Sequence, residues 1–126
     1  MSEAKELLQY FGGYTNKQFA SLSGRATTLL YALFKTLSDG VRGKTVLFPA
    51  IMCPHPVYAA KIAGIESAFM DVDPSIGIVT PQTFEEAIRR NPNATIALIA
   101  HTFGSSWSIF SSAGILSHSN WANPSL

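Results

Sequence analysis

Three sets of residues in this sequence have the types and spacing to do chemistry. One is Ser23-Gly24, where a predicted helix begins and where free backbone N–H groups and the helix dipole would favour a phosphate. Another is Cys53 with His55, which have the types of a nucleophile and its base. The remaining set consists of candidate metal ligands near predicted strand ends: His55, Asp71, Asp73 and His101.

Each set also has a simpler interpretation. Most capped helices with a glycine bind nothing, so Ser23-Gly24 alone is weak evidence for a phosphate site. A single cysteine usually packs as a small hydrophobic residue, and no Asn or Asp is evident that would orient His55. The spacing of the four metal candidates matches no known metal motif, and acids at strand ends ordinarily cap turns. We therefore predict no catalytic residue and no metal site from these residues alone.

The stretch that must position these groups is predicted to form a strand, a helix and a second strand. The elements are Thr45–Phe48, halted by Pro49, then Pro56–Ala63, closed by Gly64, then Ser67–Met70. A strand–helix–strand unit of about thirty residues makes a parallel sheet, and ligands bind at the carboxyl ends of such strands.

Further elements are predicted on either side of this unit. They are a helix Glu3–Tyr10 stopped by Gly12-Gly13, a helix Ser23–Ser38 capped by Ser23, a helix Pro81–Arg90 capped by Thr80, and a strand Thr95–Ala100. That strand is apolar throughout, as expected when both faces of a sheet are covered. Residues 14–22 show no clear pattern. The predicted fold class is α/β.

Length and charge narrow the classes of function. The chain has 126 residues, enough for one domain, and a formal net charge of +1. So small a charge argues against nucleic acid and against an anionic membrane surface as partners. No apolar run approaches the ~18 residues of a membrane-spanning helix. With Cys53 as the single cysteine, a disulfide framework is impossible, and we expect a cytoplasmic protein.

The amino-acid composition changes near the end of the chain. No Asp, Glu, Lys or Arg follows Arg90, and residues 105–126 contain eight serines with no clear helical period. We expect a folded part over residues 1–104 and an atypical tail over 105–126. Such an abrupt change is what a frameshift or a premature end would produce.

Several short motifs, read as one ordered series, resemble a known family. They are Ser23-Gly24-Arg25-Ala26, Val46–Pro54, Ala63-Gly64, Phe69–Pro74 and His101–Gly104. In this order and spacing the series is similar to the DegT/StrS-type aminotransferases. Those are pyridoxal-phosphate enzymes of the aspartate aminotransferase fold that mostly aminate keto-sugars. The resemblance covers residues 19–104 and implies part of a large domain, with a mainly parallel sheet and flanking helices.

The resemblance also implies a cofactor site. Gly24, Arg25 and Ala26 occupy the segment whose backbone N–H groups hold the cofactor phosphate. Cys53 lies where many members place an aromatic ring over the pyridine face, and a thiol cannot stack as a ring does. The implied partners are an amino donor and a keto-sugar, and the implied assembly is a homodimer.

Two groups that this chemistry requires are missing from the sequence. No lysine stands in the context of the one that links the cofactor, and no acid follows Glu86 to hold the pyridine nitrogen protonated. We therefore expect a truncated aminotransferase-like chain, inactive alone, with weak or absent pyridoxal-phosphate binding. Uncovered sheet edges would favour self-association or aggregation. The alternative is a non-catalytic, flavodoxin-like binding or regulatory module, without a Gly-x-Gly-x-x-Gly loop for a dinucleotide.

Overall fold

The computed structural model describes residues 3–15, 21–38 and 44–100, and all statements about structure concern these residues. In chain order the elements are α1 (Glu3–Thr15), α2 (Ala26–Ser38), β1 (Thr45–Pro49), α3 (His55–Ala63), β2 (Glu66–Met70), α4 (Pro81–Arg90) and β3 (Ala94–Ala97). His101 and the tail predicted over residues 105–126 lie outside the described residues.

The three strands form one parallel sheet, which confirms the predicted α/β class. The strand order is β2-β1-β3, with Thr45 paired to Glu66 on one side and to Ala94 on the other. All five residues of β1 are buried because neighbouring strands flank it and helices cover both faces. β1 is therefore the centre of the described fold.

Alternation along β1 divides the interior into two clusters of side chains. Val46 and Phe48 point to one face, with Phe34 of α2 and the alanines of α3. Leu47 points to the other face, towards α4. The α4 side of the sheet is closed by the buried residues of α4, Phe84, Ala87 and Ile88. Period-two alternation thus determines which helix each strand residue contacts.

The ends of α3 and α4 follow the predicted local rules. Gly64 ends α3 in the left-handed conformation, with φ of 79°, and its N–H donates to backbone carbonyls of the last turn. Thr80 begins α4 with a capping box, in which its hydroxyl accepts from the Thr83 N–H and the Thr83 hydroxyl accepts from the Thr80 N–H. These contacts satisfy backbone groups that a helix end otherwise leaves unpaired.

Replacing Gly64 by alanine should lower the free energy of unfolding by about 1–2 kcal/mol, because a Cβ is strained at a positive φ. Chemical denaturation of the full chain measures this change in the free energy of unfolding. The matched control is Gly24→Ala, since Gly24 has no positive φ and an added Cβ there meets nothing within 4 Å. Equal losses for the two variants would contradict the left-handed cap.

Several predicted boundaries were wrong. α1 continues through Gly12-Gly13 to Thr15, since glycine costs only about 1 kcal/mol in a helix and the rings of Tyr10 and Tyr14 stack across that turn. α2 begins at Ala26, so Arg25 and not Ser23 directly precedes the helix. β3 ends at Ala97, three residues early, although the Leu98 N–H still donates to the Leu47 carbonyl over 2.9 Å.

Candidate functional site

The N-terminus of α2 lies on the carboxyl side of the sheet. The last turn of α2 lies beside the start of β1, because Lys44 Nζ donates to the Leu37 carbonyl. Earlier in α2, the Phe34 ring meets the edge of Phe48, near the end of β1, with ring centroids 6.0 Å apart. α2 therefore runs opposite to β1. The start of α3 is on the same side, since α3 begins shortly after β1 ends.

Gly24 leaves open space at the start of α2. It is exposed, and a Cβ placed on it would meet nothing within 4 Å. Its φ lies outside the left-handed region, so the backbone conformation alone does not demand glycine. Neither the backbone conformation nor the neighbouring atoms of the described residues therefore require a glycine at this position.

The first turn of α2 can donate to an anion. The Thr28 N–H donates to the Arg25 carbonyl over 3.1 Å, while the N–H groups of Ala26 and Thr27 have no acceptor in the helix. No acidic side chain stands in this first turn, in contrast to α1 with Glu3 and Glu6. The positive end of the α2 dipole is therefore not offset by its own carboxylates.

Arg25 adds a full positive charge to this end of α2. The residue is exposed and directly precedes the helix. A guanidinium can donate two parallel hydrogen bonds to phosphate oxygens. The family resemblance points to Gly24, Arg25 and Ala26, and the observed start of α2 at Ala26 adds the Thr27 N–H to the backbone donors at this end of the helix.

Cys53 lies at the start of α3 and pairs with His55. Its Sγ is 3.2 Å from His55 Nδ1, and both residues are exposed. Among the described residues, no carboxylate or amide bonds to the other ring nitrogen of His55, so the orienting group of a catalytic triad is not seen. Cys53 shares the carboxyl side of the sheet with residues 24–26 but makes no hydrogen bond to them.

The two acids after β2 have structural partners. Asp71 lies 3.4 Å from the Arg90 guanidinium in an exposed ion pair. Asp73 accepts from the N–H and the hydroxyl of Ser75 in a turn that Gly77 completes with φ of 70°. Within the described ranges, no three His, Cys, Asp or Glu residues are placed to hold a metal ion.

Replacing Ser75 by alanine should raise the pKa of Asp73. The Ser75 hydroxyl, and then its N–H, bond to the carboxylate and hold that pKa below its ordinary value. A lowered pKa in the folded state adds stability above the unfolded pKa of about 3.9, and this is lost as pH falls through the folded pKa. NMR titration of the Asp73 carboxyl carbon in both proteins measures the shift; an unchanged pKa would contradict the Ser75 contact.

Comparison with known proteins gives one result. The model of the DegT/DnrJ/EryC1/StrS aminotransferase family matches residues 2–117. The match extends past the stretch 19–104 at both ends and includes all four candidate residues, Gly24, Arg25, Ala26 and Cys53. No curated protein and no solved structure matches the chain. In the part of the chain that the structure describes, no helix is both long and apolar enough to cross a membrane.

Proposed function

The chain belongs to the DegT/DnrJ/EryC1/StrS aminotransferase family, and on that basis we propose that the start of α2 binds the phosphate of pyridoxal phosphate. The observation that carries this proposal is the first turn of α2. It combines N–H groups without an acceptor in the helix, a glycine with open space around it, an arginine directly before the helix and a first turn that contains no acid, on the carboxyl side of a parallel sheet. We place the protein in the cytoplasm.

Each residue of this turn has a separate part in binding. The N–H groups of Ala26 and Thr27 donate to phosphate oxygens, and the Arg25 guanidinium balances the phosphate charge. Gly24 admits the phosphate, because nothing lies within 4 Å of where its side chain would begin. When bound, the cofactor supplies the electron sink through which an amino group passes between an amino donor and a keto-sugar.

Cys53 has a limited part in this proposal. We place its side chain against the cofactor ring, as the resemblance implies, at the start of α3. A thiol lacks the aromatic pairing worth about 0.5–1.5 kcal/mol beyond area burial. Its contact with His55 Nδ1 holds the thiol beside α3. Cys53 therefore contributes little to cofactor affinity.

We further propose that these 126 residues bind the cofactor weakly and transfer no amino group by themselves. The described lysines are Lys5 on α1, Lys35 on α2, Lys44 directly before β1 and Lys61 on α3. Lys44 is engaged with the Leu37 carbonyl, and Lys61 is exposed in the last turn of α3. None stands in the sequence context of the family's cofactor lysine, and no acid follows Glu86.

Borohydride trapping tests whether any lysine of this chain forms a specific covalent link with the cofactor. The full chain is incubated with pyridoxal phosphate, reduced and mapped by peptide mass. We expect partial labelling scattered over exposed lysines, together with weak and saturable non-covalent binding. One lysine labelled stoichiometrically would show that the chain contains its own cofactor lysine and would contradict the proposed inactivity.

A further inference from the structure

The start of α3 carries a thiol and an imidazole in contact with each other. Cys53 Sγ lies 3.2 Å from His55 Nδ1, and both side chains are exposed. Pro54 and Pro56 flank His55, and because each proline ring fixes its own φ, the backbone that joins the thiol to the imidazole is stiff. An imidazole accepts and returns protons near neutral pH, so the pair has the types of a nucleophile and a proton carrier.

The starts of α2 and α3 lie side by side. The two helices pack against each other on one face of the sheet, and α3 runs opposite to the strands, as α2 does, because it connects two parallel neighbours. Leu30, one turn into α2, and Val57, in the first turn of α3, pack against the same core cluster, as does Met52, which precedes Cys53. The axes of packed helices lie about 8–10 Å apart. One small ligand can therefore contact both helix starts.

The two helix starts offer a ligand different chemistry. α2 presents backbone donors and Arg25 to a phosphate, whereas α3 presents the nucleophilic thiol of Cys53. Three lysines lie at the opposite edge of the sheet: Lys35 in the last turn of α2, Lys61 in the last turn of α3 and Lys44 directly before β1. A ligand that fits both helix starts carries a phosphate and an electrophilic carbon. Pyridoxal phosphate has this composition, because it is a phosphate ester that also bears an aldehyde.

We propose that the Cys53 thiol adds reversibly to the aldehyde of pyridoxal phosphate held at the start of α2, an inference that rests on the proposed function. The Sγ–H proton passes to His55 Nδ1, Sγ bonds to the aldehyde carbon, and the π pair of the carbonyl moves to its oxygen. His55 then returns the proton to that oxygen, so the step needs no oxidant and releases no leaving group. This reaction is separate from the weak contact between the thiol and the cofactor ring.

The proposed addition selects the aldehyde form of the cofactor. Pyridoxamine phosphate carries an amine in place of the aldehyde, so it can occupy the phosphate site but gives Cys53 no carbonyl carbon to attack. Addition to sulfur also places no nitrogen on the former aldehyde carbon, so the adduct passes no amino group to a keto-sugar. Cys53 therefore retains the aldehyde form without making this chain an aminotransferase.

Carbon-13 NMR of pyridoxal phosphate labelled at its aldehyde carbon tests the proposal on the full chain. An aldehyde, its hydrate, a lysine imine and a carbon bonded to both sulfur and oxygen give separate signals. We expect the sulfur-bonded signal in the parent chain and its loss in Cys53→Ser. His55→Gln should keep the adduct but slow its formation at least about tenfold, because a proton carrier changes the rate and not the equilibrium. Equal rates for His55→Gln and the parent chain would overturn the role of His55.

Moving the thiol provides the matched control. Cys53→Ser combined with Ile62→Cys places a thiol in the last turn of α3, at a position 74% exposed, and should give no adduct at the same ligand concentration. Inorganic phosphate at ten times its own dissociation constant should raise the half-saturating concentration for the parent adduct about tenfold. Equal adducts at positions 53 and 62 would overturn the proposal. A parent chain that binds pyridoxamine phosphate but gives no sulfur-bonded signal overturns this inference alone, whereas no binding of pyridoxamine phosphate contradicts the phosphate site itself.

Discussion

Replacing Phe48 by alanine should lower the free energy of unfolding by about 3–5 kcal/mol, a large part of the ~5–15 kcal/mol that stabilises a typical domain. Phe48 is 0% exposed at the end of the central strand, and its ring meets Phe34 of α2 edge to face. Removing it leaves a cavity between α2, α3 and the sheet that rigid neighbours fill only in part. Chemical denaturation of the full chain measures the loss.

Phe69 provides the control for this substitution. It is paired directly with Phe48 across β1 and β2, on the same face of the sheet, but it is 55% exposed on an edge strand. Phe69→Ala should therefore cost about 1 kcal/mol or less, because little cavity forms. Equal losses for the two phenylalanines would show that β1 is not the central strand.

The sequence predicts the individual helices and strands, but it does not predict that Phe48 is buried while Phe69 is exposed. Local signals were sufficient for the β1–α3–β2 unit and for α4: Gly64 after a helix, Thr80-Pro81 before one, and a proline at the end of a strand, although Pro49 proves to be the last residue of β1 and not the first residue after it. These local signals do not predict the order of the strands in the sheet. Which phenylalanine is buried depends on β3 pairing with the other edge of β1, a contact between residues about fifty positions apart.

The predicted end of α1 and the predicted start of α2 were wrong because two local preferences competed at each position. Two glycines at positions 12 and 13 usually end a helix, but contacts between side chains one turn apart continue α1 to Thr15. At α2 the capping preference of Ser23 predicts too early a start, because residues 21–25 form an exposed loop and the helix begins at Ala26. The candidate residues at positions 24–26 came from resemblance to a family, since Ser23-Gly24 alone is too common to identify a site.

Gly24→Val and Arg25→Ala should each weaken binding of pyridoxamine phosphate by roughly tenfold to a hundredfold, corresponding to about 1.5–3 kcal/mol. The valine methyl groups would fill the space in front of α2, and the alanine would remove a charged donor. Pyridoxamine phosphate is the appropriate probe because it lacks an aldehyde and does not react with surface lysines. Calorimetric titration measures the dissociation constants.

Gly13→Val is the matched control for the glycine variant. Gly13 is also exposed, and a Cβ placed on it likewise meets nothing within 4 Å, but it lies in α1. We expect this variant to bind pyridoxamine phosphate as the parent chain does. If Gly13→Val and Gly24→Val weaken binding equally, the loss reflects the glycine-to-valine change in general and not a phosphate site at α2.

If the first turn of α2 recognises a phosphate, the chain should bind a phosphorylated ligand more tightly than the same ligand without its phosphate. The full chain is titrated with pyridoxamine phosphate and with pyridoxamine, which differ only in the phosphate group. We predict saturable one-to-one binding of the phosphorylated ligand, displaced by inorganic phosphate, and at least about tenfold weaker binding of pyridoxamine. Equal affinity for the two ligands, or binding that inorganic phosphate does not displace, would contradict the claim.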